Sequence, residues 1–161
     1  MTNTHVVVPA WWDPKQRKAI WDDSTIVCGI LVAGADGVVF AGPEGIAFDL
    51  PTSGLEVAWV KLGTACRISR TGVSYLVYLM PPTDGSPRLS RSSVLQIAQW
   101  LDTADNLANL ADEVADLGFA ADVFGVGGLL GNSIRTISSV AAMRRARASK
   151  QALQQTFAYT V

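Results

Sequence analysis

Short apolar stretches alternate with glycine-centred polar breaks between residues 25 and 80. The stretches TIVCGILVA, VVFA, IAFDL, LEVAWVKL, ACRIS and VSYLVYLM are rich in β-branched and aromatic residues. The breaks between them, ADG, GPEG, PTSG, GT and RTG, contain residues that turns favour. This alternation predicts an antiparallel meander of six strands.

Several of these breaks predict tight turns. Asp36-Gly37 is a signal for a two-residue hairpin, because a type I′ turn needs positive φ at both central positions. GPEG at 42–45 and RTG at 70–72 predict two more turns. The last strand, residues 73–80, is apolar on both faces, which predicts that a helix, a second sheet or another subunit covers each side of it.

The N-terminal residues predict one more strand and a short helix. HVVVPA at 5–10 is typical of a strand, and Asp13 followed by Pro14 predicts an N-cap and about two helical turns. Three tryptophans flank this helix, and three basic residues lie within it. They favour either a cover over one end of the sheet or an interfacial patch facing an anionic membrane. These residues are Trp11, Trp12, Trp21, Lys15, Arg17 and Lys18.

A linker rich in proline and serine, residues 81–92, precedes a long helical pattern. A serine cap at 90–93 opens the pattern, apolar residues recur at helical spacing from Val94 to Leu117, and Gly118 is the expected stop. The predicted helix of about 24 residues would be about 36 Å long, which exceeds what a small sheet covers. Its second half is therefore expected to pack against the C-terminal segment or a second copy of the chain.

The C-terminal segment predicts a glycine-rich turn and a final basic helix, over residues 132–155. Cations near the C-terminus of a helix are stabilised by its dipole. The alternative is attraction to an anionic membrane or an acidic partner. The basic residues are Arg144, Arg145, Arg147 and Lys150.

Together these elements predict an α+β chain with a strongly bent antiparallel sheet or small open barrel, capped by the long helix and followed by a helical arm. Residues 1–24 would pack on the sheet, residues 25–117 would form the β-domain with its capping helix, and residues 118–161 would form the turn and arm.

Charge and hydropathy narrow the classes of partner and compartment. Thirteen basic and fourteen acidic side chains leave a net charge of −1, which argues against nucleic acid as a partner. The first residues lack the pattern of a secretory signal, and no window is as apolar as a membrane span, so we expect a cytoplasmic protein, at most peripheral to a membrane. Cys28 and Cys66 fall in predicted strands, which favours buried thiols, with a disulfide between adjacent strands as the alternative.

Candidate catalytic and ligand motifs are weak. His5 is the only histidine, so no serine or cysteine has an evident base. The glycines at 125–131 miss the spacing of nucleotide-binding loops. Asp112 and Asp116 share a helix face, which favours a solvated surface over a cation site. We expect no enzyme activity, no cofactor and no metal site.

Six or seven short antiparallel strands followed by a helix resemble the pleckstrin-homology-like superfold in its bacterial, GRAM-like form. The stretch GILVAGADGVVFAGPEGIAFDLPTSGLEVAWVKLG carries this resemblance, which covers roughly residues 20–110. It implies a non-catalytic binding module for phosphoinositides, peptides or proteins. Lipid-binding members carry basic residues on the first two strands and their connecting loop, whereas ILVAGADGVVF contains neither lysine nor arginine.

The sequence therefore predicts a binding or adaptor module that uses its helical arm and sheet surface for protein–protein contact or self-association. The alternative is a peripheral membrane protein that attaches through the basic C-terminal helix and the tryptophan-rich N-terminal segment.

Overall fold

A computed structural model describes residues 5–15, 25–60, 64–83, 86–102, 143–144 and 146–157. It has the α+β class predicted, with seven antiparallel strands in one open sheet and two helices. The strand order is β4-β3-β2-β1-β7-β6-β5. The strands are β1 (Val6–Asp13), β2 (Val27–Gly34), β3 (Gly37–Gly42), β4 (Gly45–Pro51), β5 (Glu56–Val60), β6 (Ala65–Arg70) and β7 (Val73–Tyr78), and the helices are α1 (Arg91–Asp102) and α2 (143–157, with 145 outside the description).

The N-terminal strand β1 lies in the middle of the sheet. It pairs with β2 along most of its length and with β7 through Trp11, Trp12 and Asp13. The strand is therefore longer than the predicted 5–10 and is a part of the sheet instead of a layer packed on it. Asp13 Oδ1 accepts a hydrogen bond from the backbone N–H of Lys15 at 3.1 Å, which is the bond an N-cap makes. The helical turns predicted to follow fall on residues 16–24, outside the described residues.

The connection between β4 and β5 forces the sheet to curl. These two strands form the opposite edges of the sheet, six strand spacings apart, which would be about 29 Å if the sheet were flat. Only residues 52–55 join them. Because consecutive Cα atoms are 3.8 Å apart, this connection spans at most about 19 Å. The two edges must therefore approach each other.

Hydrogen bonds fix the β4–β5 connection to the turns on either side of it. The backbone N–H of Thr52 donates to the carbonyl oxygen of Asp36, in the β2–β3 turn, at 3.3 Å. Arg70 Nε, at the β6–β7 turn, donates to the carbonyl oxygen of Ser53 at 2.8 Å. Turns from both halves of the sheet thus meet at one end of the molecule.

Aromatic side chains give a second measure of the curl. Phe48 on β4 and Tyr75 on β7 are four strand spacings apart, about 19 Å in a flat sheet. Their ring centroids are 4.2 Å apart. Both side chains therefore point into the concave side. The concave core also includes Val8, Leu31, Phe40, Cys66, Ile68 and Val77, together with Ala146, Leu153 and Phe157 of α2.

Helix α1 covers the convex side of the sheet. The backbone N–H of Ser93 donates to Ser90 Oγ at 3.1 Å, so the predicted serine cap is confirmed. The predicted apolar stripe is buried as far as the description reaches, and the rest of the predicted helix lies in residues 103–142, outside it. The buried members are Val94, Ile97, Ala98 and Leu101, which share a core with Cys28, Ile30, Val32, Val39 and Ala41 of β2 and β3.

The type I′ geometry occurs in a different turn from the one predicted. Thr71 and Gly72 have φ of 53° and 82°, so both central residues of the β6–β7 turn are left-handed. In the β2–β3 hairpin Gly34 pairs with Gly37, so Ala35 and Asp36 form the loop and neither has positive φ. Gly37 is needed for packing, because a Cβ there would collide with the carbonyl oxygen of Leu50 on β4.

The two cysteines are free and lie on opposite faces of the sheet. Cys28 belongs to the convex core and Cys66 to the concave core, on strands that are not neighbours. This arrangement excludes the disulfide between adjacent strands. Burial raises the pKa of each thiol from 9.0 to about 12, and for Cys28 the charge of Arg88 offsets part of that effect.

The β6–β7 turn provides a test of local backbone strain. Thr71 is β-branched and exposed, and left-handed φ is costly for such a residue. Thr71→Asn should raise the free energy of unfolding by about 0.5–1 kcal/mol, because asparagine tolerates this conformation. Gly72→Ala should lower it by about 1 kcal/mol. No atom lies within 4 Å of a Cβ added at residue 72, so only backbone strain acts there. Equal unfolding midpoints in urea for all three proteins would contradict this account.

The buried thiols should make the protein sensitive to alkali. Above pH 9 the unfolded chain loses thiol protons that the native protein keeps until about pH 12. The contribution of the protonated thiols to the free energy of unfolding is therefore fully present below pH 9. It falls as the pH rises, by up to about 1.4 kcal/mol per pH unit for each thiol.

Urea unfolding at about pH 8 and about pH 10.5 measures this loss. The Cys28→Ala/Cys66→Ala variant has no thiols and should lose less stability between the two conditions than the natural chain. Both proteins contain the same lysines and tyrosines, so the difference between their two losses of stability reports the thiols alone. An equal loss of stability in the two proteins would show that the thiols do not contribute.

Candidate functional site

A surface pocket of about 480 Å³ lies at the end of the sheet opposite the hydrogen-bonded turns. Trp12 at the end of β1, residues 25–27 at the start of β2, and residues 42–47 around the β3–β4 turn line it. We call it the β3–β4 pocket. Its volume lies within the range of about 300–1,000 Å³ typical of ligand sites.

The β3–β4 turn shapes one wall of this pocket. Gly42 pairs with Gly45, so Pro43 and Glu44 form a two-residue loop, and Gly45 has φ of 141°, a value that favours glycine. Phe40 pairs with Phe48 and Ala41 with Ile46, which leaves Ala47 as an extra residue in a β-bulge. The bulge bends the start of β4, so that Ala47 lines the pocket and also packs against the concave core.

Trp12 forms the aromatic wall of the pocket. The indole is half-buried and packs edge-on against Phe40 and Phe48, with ring centroids 6.2 and 6.1 Å away. It also lies 6.2 Å from the ring of Tyr75. Each such aromatic pair contributes about 0.5–1.5 kcal/mol beyond the burial of its area. The packing keeps Trp12 in one position at the mouth of the concave core.

The described lining of the pocket has one charged side chain, the exposed carboxylate of Glu44. Thr25 adds a hydroxyl group, and most of the remaining lining is apolar, including Ile26, Val27 and Ile46. An apolar wall with one carboxylate suits a ligand that combines apolar and cationic groups.

An exposed apolar surface adjoins the pocket. Trp100 Nε1 on α1 donates to the carbonyl oxygen of Pro43 at 3.3 Å, which brings the helix against the β3–β4 turn. The side chains of Trp100 and Ile46 are 37% and 38% exposed. We call the surface formed by Pro43, Ile46 and Trp100 the turn patch.

The described members of the predicted N-terminal site, Trp11, Trp12 and Lys15, do not all lie at the surface. Trp11 is only 2% exposed, and its Nε1 donates to the carbonyl oxygen of Pro87 at 2.7 Å. It is a core residue because β1 continues between β2 and β7, which corrects its inclusion in a binding patch. Trp12 lines the β3–β4 pocket and Lys15 is exposed. Arg17, Lys18 and Trp21 lie outside the described residues.

The predicted C-terminal residues lie along α2. Arg144 and Arg147 are exposed, and Arg147 Nη2 is 3.8 Å from Met143 Sδ. Lys150 Nζ lies 5.5 Å from the ring centroid of Trp59 on β5. Arg145 lies outside the described residues. Ala146, Leu153 and Phe157, on the apolar side of α2, pack into the concave core. Among the described members, Trp11 and Trp12 belong to β1, whereas Lys150 contacts Trp59 on β5.

Sequence reasoning missed the β3–β4 pocket and its aromatic wall. Trp12, Phe40, Phe48 and Tyr75 come from four strands, and no local pattern indicates that they meet. The GPEG turn was identified, but the bulge after it was not. In the described part of the chain, no three histidine, cysteine, aspartate or glutamate side chains could together bind a metal ion. Neither described helix has the length and apolar character of a membrane span.

No protein-family model, no curated protein and no solved structure matches this chain. The surfaces that bear on function are the β3–β4 pocket, the turn patch and the exposed side of α2.

Proposed function

We propose that this chain is a non-catalytic module of pleckstrin-homology-like fold that binds another protein through the turn patch and the β3–β4 pocket. One observation carries the proposal: Ile46 and Trp100, both more than a third exposed, lie beside a pocket of about 480 Å³. Exposed apolar surface with an aromatic side chain next to a cavity is typical of protein interfaces.

The chain topology supports the fold assignment within this proposal. Seven antiparallel strands form a curled, open meander, and a helix follows the last strand. This is the order of elements that the resemblance implies. In the described residues α1 packs on the convex side and α2 on the concave side, so α2 is the better candidate for a cap over the concave core.

The position of α2 favours the turn patch over the helical arm as the binding surface. The apolar residues Ala146, Leu153 and Phe157 are already buried against the sheet of the same chain. The exposed side of the helix presents Met143, Arg144 and Arg147. It therefore offers less apolar area to a partner than the predicted arm would have.

A second candidate function, attachment to an anionic membrane, is favoured by the position of β1. Because β1 and β2 are the first two strands, their connection spans residues 14–26 and carries Lys15, Arg17 and Lys18. In the resembled family this is the basic loop of lipid-binding members. The stretch ILVAGADGVVF, which lacks basic residues, instead forms the hairpin of β2 and β3.

Selection from a random peptide library tests the first function. Peptides selected on the natural chain should bind the Ile46→Thr/Trp100→Gln variant at least about 30-fold more weakly, because two interface anchors are lost. The matched control is Val73→Thr/Leu95→Gln, which removes two side chains that are 53% and 51% exposed outside the turn patch.

The control should bind the selected peptides as the natural chain does, measured by calorimetry. Equal affinity for the natural chain and the turn-patch variant would contradict the proposal. Equal weakening by the two double variants would also contradict it, since the effect would then not belong to the turn patch.

Vesicle flotation tests the second function. Under that function the natural chain floats with anionic vesicles and not with neutral ones. Lys15→Glu/Arg17→Glu/Lys18→Glu should then weaken binding by at least about 100-fold, at about 1 kcal/mol for each basic residue near a charged leaflet. The Arg144→Glu/Arg147→Glu variant, on the exposed side of α2, tests whether the helix contributes to vesicle binding in addition to the loop between β1 and β2. Equal binding to anionic and neutral vesicles would contradict this candidate function.

A further inference from the structure

We propose that the β3–β4 pocket binds a basic side chain, arginine or lysine, together with a neighbouring apolar residue of an extended segment of the protein partner. The inference rests on the proposed function and specifies its recognition chemistry. Trp12 and Glu44, which both line the pocket, are the residues that select the ligand.

Shape is the first argument for this ligand. The pocket, about 480 Å³, is larger than a single side chain needs, and the described residues leave it partly open. Ile26, Val27 and Ile46 contribute apolar surface to its lining. A short peptide segment can place an apolar residue against these side chains while its neighbour reaches Trp12.

Charge is the second argument. Glu44 supplies the one charge in the described lining, and it is negative. A guanidinium or ammonium group can form an ion pair with this carboxylate while it contacts the indole of Trp12, whose π-face attracts cations. An anionic group in the same position would meet the carboxylate without a basic side chain from the described lining to compensate it.

The same pairing of a cation with an indole already occurs elsewhere in the molecule. Lys150 Nζ of α2 lies 5.5 Å from the ring centroid of Trp59, where the helix crosses β5. Trp12 is better positioned for such a contact from outside the chain, because its ring lines an open pocket and is kept in place by Phe40 and Phe48.

Two tripeptide probes test the proposal by NMR on the full ¹⁵N-labelled chain. Acetyl-Leu-Arg-Leu-amide should shift the backbone amides of residues 42–47 and the indole N–H of Trp12, and should saturate in the millimolar range expected for so small a ligand. Acetyl-Leu-Glu-Leu-amide should bind at least about tenfold more weakly, because the attraction to Glu44 becomes repulsion.

Two matched variants separate the pocket from the general charge of the protein. Glu44→Gln should weaken the arginine peptide by up to about fivefold, the effect of one exposed ion pair, while the contact with Trp12 remains. Glu56→Gln removes another exposed carboxylate, on β5 and outside the lining, and should leave the affinity unchanged.

Four results would overturn the inference. The first is equal binding of the acidic and basic peptides, and the second is an unchanged affinity in Glu44→Gln. The third is a shift of the amides of residues 42–47 with protein concentration alone, since a second copy of the chain would then occupy the pocket. Library peptides that need the turn patch but contain no basic residue would overturn this inference and leave the proposed function intact.

Discussion

The shortness of the β4–β5 connection is the constraint on which the rest of the structure depends. Residues 52–55 join the two outer strands of a seven-stranded sheet, so the sheet can form only as a curled layer. Hydrogen bonds from Thr52 to Asp36 and from Arg70 to Ser53 fix this connection to the turns of both halves. The curl then gives each face of the sheet a different environment.

The concave face is closed by side chains that come from distant strands. Phe48 and Tyr75 stack across the interior, and Trp12 packs against both at one end. Leu153 and Phe157 of α2 contribute to the same core. The convex face is instead covered by α1, whose buried residues are aliphatic and pack on small and β-branched side chains of β2 and β3. Each helix thus completes one of two separate cores. Residues 73–80 are apolar on both faces because they contribute to both cores.

Local patterns were sufficient to predict most of the strands, because glycine-rich breaks lie at their ends. The breaks ADG, GPEG and RTG all coincide with turns of the sheet. The length of β1 could not be predicted in the same way. Trp11 and Trp12 continue the strand because β2 pairs with them on one side and β7, more than 60 residues later in the chain, pairs with them on the other. The distinction between the turns at Asp36 and Thr71 likewise depends on register, which pairs Gly34 with Gly37 and Arg70 with Val73.

The candidate site depends on the same long-range geometry. Glu44 and Ile46 were visible in the sequence as part of a turn and a strand, but their relation to Trp12 arises only when β1, β3 and β4 curl around one interior. No periodicity encodes that relation. The same limit applies to Lys15, Arg17 and Lys18. Only the position of β1 inside the sheet shows that these residues come between the first two strands in the sequence.

Trp12 links the surface of the molecule to its central constraint. The indole lines the β3–β4 pocket on one side and packs against Phe40, Phe48 and Tyr75 on the other. Phe48 contacts Trp12 and Tyr75 only while the sheet is curled, because its strand lies three spacings from β1 and four from β7. A ligand that binds Trp12 in the pocket therefore binds the curled form and not the unfolded chain, and it stabilises the fold by mass action. Under the proposed function, Trp12 thus serves both the recognition of a ligand and the aromatic packing that the curl brings together.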